Sequence, residues 1–506
     1  MPNPLYDVLF APLTGRDSVL LHLGDGTSLT GKEFARLISR TAHALGGLGL
    51  RKGDRIAIQC AKSPEALAVY AASVALGAIF LPLNPAYTAS EIGYFLGNAT
   101  PTLFVCDPAN AAGLAEIAAQ HGAVLLTLDA AGHGSLADAC RDQPSTLAPT
   151  HCTADDLAAI LYTSGTTGRS KGAMLSQGNL LSNAQTLAAL WRFTKDDTLI
   201  HALPIFHTHG LFVATNTLLV AQGSMIFLES FKAEEVLQHL PQATFLMGVP
   251  TFYTRLLATP GFDRAATEHM RLFISGSAPL LAETHSAFES RTGHRILERY
   301  GMTETNMNTS NPYEAERRAG TVGLPLPGVE LRLMSGENPT EVGGVGMIEV
   351  RGPNVFRGYW QMPEKTAEEL RPDGWFLTGD LATCDDDGYY SIVGRAKDLI
   401  ITGGFNVYPK EVELLLDEAP GIVESAVIGL PHPDFGEAVF AVLVGRKGEV
   451  TAPEQTLSTL QGRIAKFKQP KAAVYVSELP RNTMGKVQKN LLRQTYADWF
   501  TKAPTS

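Results

Sequence analysis

At residues 162–172 the chain reads YTSGTTGRSKG, with three glycines, five Ser/Thr residues and two cations in eleven positions. Glycines leave backbone N–H groups open, and hydroxyls and cations add donors, so this is the chemistry of a phosphate cradle. A Walker A loop requires G-x-x-x-x-G-K-[ST]. The fifth residue after Gly165 is Ser170 and the fifth after Gly168 is Ala173, so the spacing excludes a P-loop NTPase. LAAILYTS before the loop has the pattern of a buried strand, and GNLLSNAQTLAALWRF after it has that of a helix. A strand-to-helix loop is therefore expected, the usual setting for a bound phosphate.

Four further stretches follow in order: YGMTET at residues 300–305, GWFLTGD at 374–380, GRAKDLIITGGFNVYPKEVE at 394–413 and LPRNTMGKVQK at 479–489. With the first loop, they resemble the adenylate-forming superfamily of acyl-CoA synthetases, luciferases and peptide-synthetase adenylation domains. The resemblance covers nearly the whole chain. It implies an enzyme that joins a carboxylate to AMP, expels pyrophosphate and passes the acyl group to a thiol. Attack on the α-phosphorus is helped mainly by positioning and by positive charge on the phosphates.

The resemblance assigns roles. Thr163, Ser164, Thr166 and Thr167 would donate to the β/γ-phosphates, Gly165 and Gly168 would open the backbone to them, and Lys171 would add charge. Thr303 would contact the α-phosphate, and Glu304 would hold Mg²⁺ through an oxygen, the hard ligand that ion prefers. Tyr300, with Gly301 and Met302, would lie near adenine beside the backbone of Ser277 and Ala278. Asp380 would accept from the ribose hydroxyls and Arg395 would lie close to ribose and phosphate.

Lys486, in MGKVQK, would reach the substrate carboxylate and the α-phosphate during adenylation, and Lys489 is the rival nearby. Lys397 stands where the family places its hinge, about which the C-terminal domain rotates between half-reactions. That rotation would bring Gly403 and Gly404 towards the pantetheine channel. The expected domains are 1–396, carrying the nucleotide motifs, and 397–506, carrying the lysine. Acetylation of Lys486 by a protein lysine acetyltransferase would neutralise its charge and stop adenylation.

The acid is a separate question, because the adenylate motifs are shared across substrates. VPTFYTRLL, SGSAPL and YGMTETNMN resemble the malonyl-CoA synthetase branch of the family. That resemblance implies that Arg255 and Ser277 bind the distal carboxylate of malonate. His207 and Thr208 would shape the pocket, and Met302 and Met307 would limit its depth. An arginine fork matches a carboxylate in two hydrogen bonds and is left buried and unpaired by a monocarboxylate. One methyl is a weaker test, so methylmalonate should also be accepted. The alternatives are a ligase for another short or aromatic acid and a non-catalytic nucleotide-binding module.

These residues need a framework. RIAIQC, IFLPLN, TLFVCD, AVLLTLD, DTLIHALP, ATFLMGVP and RLFISGS are short β-rich runs alternating with helical segments, which argues for layered parallel α/β subdomains. VELRLMS, GMIEVRG and GYYSIVGR suggest a β-rich subdomain, mostly antiparallel. After Arg395, helices are expected over PKEVELLLDEAPG, VESAVIGLP and AVFAVLVGRKG, giving a smaller mobile α+β domain. With 45% hydrophobic residues, 18% charged residues and a net charge of −10, the chain reads as globular, without nucleic acid as its main partner. Five scattered cysteines suit a reducing compartment, and no apolar run approaches the roughly 20 residues of a membrane span, so a cytoplasmic protein is expected.

Overall fold

Ser63 and Gly77 bound one of the most deeply buried helices. The Ser63 hydroxyl accepts from Ala66 N, Pro64 opens the helix Pro64–Leu76, and Gly77 ends it at φ 67°. Such helices connect parallel strands in a computed structural model that describes residues 2–163, 170–402, 405–446, 448–449, 451–482 and 485–500. The chain divides into two compact units, Met1–Glu330 with Val350–Phe376 and Leu331–Glu349 with Leu377–Ser506.

The first unit contains two sheets of the expected α/β kind. In one, Val124–Thr127, Leu103–Cys106, Arg55–Gln59, Ile79–Pro82 and Leu157–Thr163 are parallel neighbours, with Lys171–Ser176 added antiparallel at the edge. In the other, Leu297–Met302, Leu272–Ser275, Phe245–Gly248, Thr198–His201 and Ser224–Phe227 run parallel in that order. Their residues are nearly all buried, as expected for strands covered on both faces. Ligand-binding loops belong at the C-terminal ends of such strands.

The phosphate-loop segment differs from the strand-to-helix expectation. Residues 171–176 form a strand, KGAMLS, that pairs back antiparallel with Leu157–Thr163, from Leu157↔Ser176 to Thr163↔Lys171. The loop is therefore a hairpin connection, and the helix Gln177–Leu190 starts only after it, capped by Ser176. A strand thus stands between the loop and the helix N-terminus.

In the second unit, Glu330–Ser335, Gly346–Arg351, Phe376–Cys384 and Tyr390–Arg395 belong to the expected β subdomain, a five-stranded sheet that begins at the unit boundary. Of the three helices expected after Arg395, Pro409–Asp417 is a helix, but Ile422–His432 and Gly436–Gly445 are long antiparallel strands. Both are Val/Ile/Ala/Leu-rich runs buried through their centres, with no polar stripe at helical spacing. Short apolar runs of this kind do not distinguish helix from strand by periodicity, and here β-branching decides.

The sheet Phe376–Cys384 to Tyr390–Arg395 packs within the second unit, although it precedes Lys397. The division at Lys397 rests on the proposed hinge and belongs to the functional proposal. Among the described residues no helix is long and apolar enough to cross a membrane, and all five cysteines are free thiols.

Candidate functional site

In the first unit, polar residues gather at the C-terminal ends of the parallel strands. Leu272–Ser275 is followed by Gly276 and Ser277, and Ser277 holds φ 71°, a left-handed conformation that costs a non-glycine residue energy and is found at functional sites. Ser277 Oγ lies 3.2 Å from His209 Nδ1. His209 starts a π-helix, His209–Asn216, a form that recurs where side chains must be re-aimed. His207, two residues earlier, lies next to it, with His209 N 3.5 Å from His207 Nδ1.

Arg299, on Leu297–Met302, completes this group. It is 4% exposed, and its Nε and Nη2 have no hydrogen-bond acceptor among the described residues. Its charge is felt by His207, His209 and Tyr253, which places the guanidinium among them. Burial pulls the Arg299 pKa down to about 9, with Tyr253 opposing. Burial and then Arg299 push His207 down to about 4, and the same two causes lead in holding His209 well below the imidazole range. Both histidines are therefore neutral hydrogen-bonding groups at pH 7. Thr208 Oγ1, His209 Nε2 and Ser275 Oγ are also buried without partners among the described residues. A buried cation with two unpaired N–H groups, ringed by neutral donors, is built for an anion.

Arg255 is not part of this group. On the helix Pro250–Ala258, Tyr253 and Leu256 face the core, and Arg255 stands about 200° round from Tyr253 at roughly 100° per residue. Its side chain is exposed and has no ion pair among the described residues. Arg299, which the sequence motifs did not single out, is therefore a second candidate cation for an acid beside the exposed Arg255. A signal for Arg299 was present in the sequence: ILERYG places a cation inside a run otherwise suited to a buried strand.

The nucleotide motifs are arranged as follows. Glu304 is 4% exposed; its backbone carbonyl accepts from Phe356 N at 2.8 Å, and its Oε1 lies 3.0 Å from Tyr359 Oη. Tyr359 Oη also donates to Glu369 Oε2 at 2.6 Å. Lys171 pairs with both Glu369 oxygens at 3.1 Å and sits 4.1 Å over the Tyr359 ring. Its charge is therefore balanced by Glu369, a partner 198 residues away. Thr303, Tyr300, Met302 and Ala278 are half-buried, and Met307 is buried. Gly301 must be glycine, since a Cβ there would fall 1.8 Å from Asn306 O. Thr163 ends its strand with its hydroxyl 3.4 Å from Lys171 O. Ser164, Gly165, Thr166, Thr167 and Gly168 lie outside the described residues, as do Gly403 and Gly404.

In the second unit, Asp380 and Arg395 face each other across paired strands, with Arg395 Nε 2.8 Å from Asp380 Oδ1. Lys397 lies in the turn Ala396–Asp398. Lys486 occupies a tight turn in which Asn482 N donates to Lys486 O and Lys486 N donates to Asn482 Oδ1, both at 2.9 Å. Its residue keeps open surface, yet the surrounding protein, then Arg395 and Lys397, lower its pKa to about 8 against the pull of Asp380 and Asp398. Lys489 is committed elsewhere, 2.5 Å from Glu413 Oε1.

Comparison with known proteins shows the family. The profile of the AMP-binding enzyme family matches residues 12–360, and that of the AMP-binding enzyme C-terminal domain matches residues 411–486. The chain is 36% identical over 482 residues to the malonate–CoA ligase of Arabidopsis thaliana, covering 89% of this chain and 79% of that protein. It is 37% identical over 477 residues to a feruloyl-CoA synthase of Amycolatopsis sp, covering 93% and 94%. The crystal structure of ATP-bound MatB from Rhodopseudomonas palustris matches with a TM-score of 0.97 at 55% identity, over 99% of this chain and 100% of that one.

Proposed function

Because the chain belongs to the AMP-binding enzyme family and is an AMP-forming acid–thiol ligase using ATP and CoA, we propose that its acid is malonate. The reaction is malonate, ATP and CoA to malonyl-CoA, AMP and diphosphate, through malonyl-AMP. The observation that carries this reading is Arg299, a buried guanidinium with two unpaired donors beside Ser277, His207 and His209. Malonate has one carboxylate to activate and a second to hold, and the second satisfies Arg299. A monocarboxylate such as ferulate leaves that charge buried and unpaired, at a cost of several kcal/mol. The similarity to feruloyl-CoA synthase therefore speaks for the reaction and not for the acid.

The chain's residues then divide the work. Arg299 and Ser277 orient malonate by its distal end, and the neutral His207 and His209 line its slot without competing for its charge. Asp380 accepts from the ribose diol and is itself aimed by Arg395. Lys486 supplies positive charge to the attacking carboxylate and the α-phosphate, with rotation about Lys397 between half-reactions; the motifs around both lysines support this. Glu304 fits Mg²⁺: it is a buried hard-oxygen ligand braced through its backbone and by Tyr359. When bound, that ion supplies positive charge against the phosphates. Methylmalonate is accepted too, since one methyl is worth only about 1–3 kcal/mol of discrimination.

The test is an acid panel with ATP, Mg²⁺ and CoA, read as AMP release, on wild type and Arg299→Met. Malonate should lead in the wild type and collapse in the variant, while the slow turnover of butyrate persists. A monocarboxylate outrunning malonate, or equal loss on both acids, overturns the assignment.

A further inference from the structure

Lys62 lies far in sequence from every residue discussed so far, directly before the helix cap Ser63, which fixes its backbone. Its Nζ meets three groups on the other sheet: His201 O at 2.7 Å, His201 Nδ1 at 2.8 Å and Leu203 O at 3.0 Å. It also sits 4.3 Å over the Phe227 ring. His201 Nε2 then lies 2.9 Å from Gly210 O and 3.1 Å from Thr215 Oγ1. One lysine thus gathers three carbonyls of a single segment, two directly and the third through His201. That segment, 201–210, carries His207, Thr208 and His209.

Part of this segment borders open space. Pro204, Ile205 and Phe206 border a cavity of about 310 Å³ that Lys62 and Cys60 also line. The segment folds tightly on itself, since a Cβ on Gly210 would fall 2.1 Å from Pro204 O. A turn that sharp, with free space on one face, needs polar tethers to hold one conformation. Burial lowers the Lys62 pKa well below that of a free lysine. The tether does not depend on its charge: the ammonium has three N–H groups for three acceptors, and the neutral amine still has two for the two carbonyls.

We propose that Lys62 is a positioning residue of the acid pocket, clamping segment 201–210 through its carbonyls and through His201 so that His207, Thr208 and His209 face Ser277 and Arg299. The claim rests on the acid-pocket reading above but not on which acid is bound. The test therefore uses whichever acid the wild-type protein activates best, and a failed malonate assignment leaves it intact.

Lys62→Met keeps the stem and removes the donors. Acid KM should rise about tenfold while ATP KM stays within about twofold, because the contacts of Lys62 lie on His201, Leu203 and Phe227 rather than on Thr303, Glu304 or Asp380. His201→Phe should act alike, and the double variant should be little worse than either single one, as residues in one chain of contacts are non-additive. Lys62→Arg, which keeps donors and charge, should recover most of the acid KM. If Lys62→Met does not fold, Lys62→Leu carries the same comparison, since it too removes the donors, on a shorter stem. A rise in both KM values together, an unchanged acid KM, or additive single effects overturns the proposal.

Discussion

The Arg299 guanidinium lies against the backbone of Gly276, where a Cβ would stand 2.4 Å from its Cζ and Nη1. Glycine at 276 is thus a condition for Arg299 reaching the pocket beside Ser277. Gly276→Ala should displace the guanidinium and raise the KM for malonate about tenfold or more, with ATP KM little changed. Steady-state kinetics on both substrates read this. Unchanged malonate kinetics would show that Arg299 can yield without consequence.

Lys486 and Lys489 are three residues apart and should fail in opposite ways. Lys486→Ala should abolish acyl-AMP formation and leave thioester formation from supplied acyl-AMP largely intact. Lys489→Ala should leave both half-reactions working but strand Glu413, which is 7% exposed and accepts from Val427 N at 2.9 Å. That should cost about 1–3 kcal/mol of stability, seen as a lower Tm. A stable, adenylation-dead Lys489→Ala would reverse the assignment of the two lysines.

Lys486 also implies a pH limb. Its pKa lies near 8, below the ordinary lysine value, because the surrounding protein and then Arg395 and Lys397 disfavour its charged form. The cation is present below that pH and lost as pH rises through it. Pyrophosphate exchange should therefore fall above about pH 8, while thioester formation from supplied acyl-AMP shows no such limb from this group. A limb first appearing near pH 10, where an unperturbed lysine titrates, counts against the perturbed lysine.

Glu304 and Tyr359 separate metal binding from its support. Glu304→Gln should weaken binding of Mn²⁺ in the presence of ATP, followed by electron paramagnetic resonance, and reduce adenylation about a hundredfold. Tyr359→Phe removes the contacts to Glu304 at 3.0 Å and to Glu369 at 2.6 Å but keeps the Glu304 carboxylate and the ring beneath Lys171, so its effect should be smaller. If Tyr359→Phe loses as much Mn²⁺ as Glu304→Gln, the carboxylate is not the principal ligand.

What could be read from the sequence was local. Glu304, Asp380 and Lys486 each sit inside a short contiguous motif, and five motifs in order identify the reaction class without coordinates. The alternation of β-rich and helical runs likewise implied the parallel layers of the first unit. Short, mostly apolar runs do not reveal their period, so the helices expected over VESAVIGLP and AVFAVLVGRKG are instead the strands Ile422–His432 and Gly436–Gly445.

The choice between two arginines could not be made in one dimension. Arg255 sits in a suggestive helix but points to solvent, because the phase of that helix is set by Tyr253 and Leu256 packing into the core. Arg299 is buried because its strand is covered on both faces. The pairing of Lys171 with Glu369 joins residues 198 apart, and that of Lys62 with His201 joins residues 139 apart. The sequence by itself determined the chemistry of adenylation, since that depends on which side chains stand together along the chain. Only the tertiary structure decided which of the two arginines is buried among other polar groups, because burial and direction belong to the packed elements and not to the order of residues.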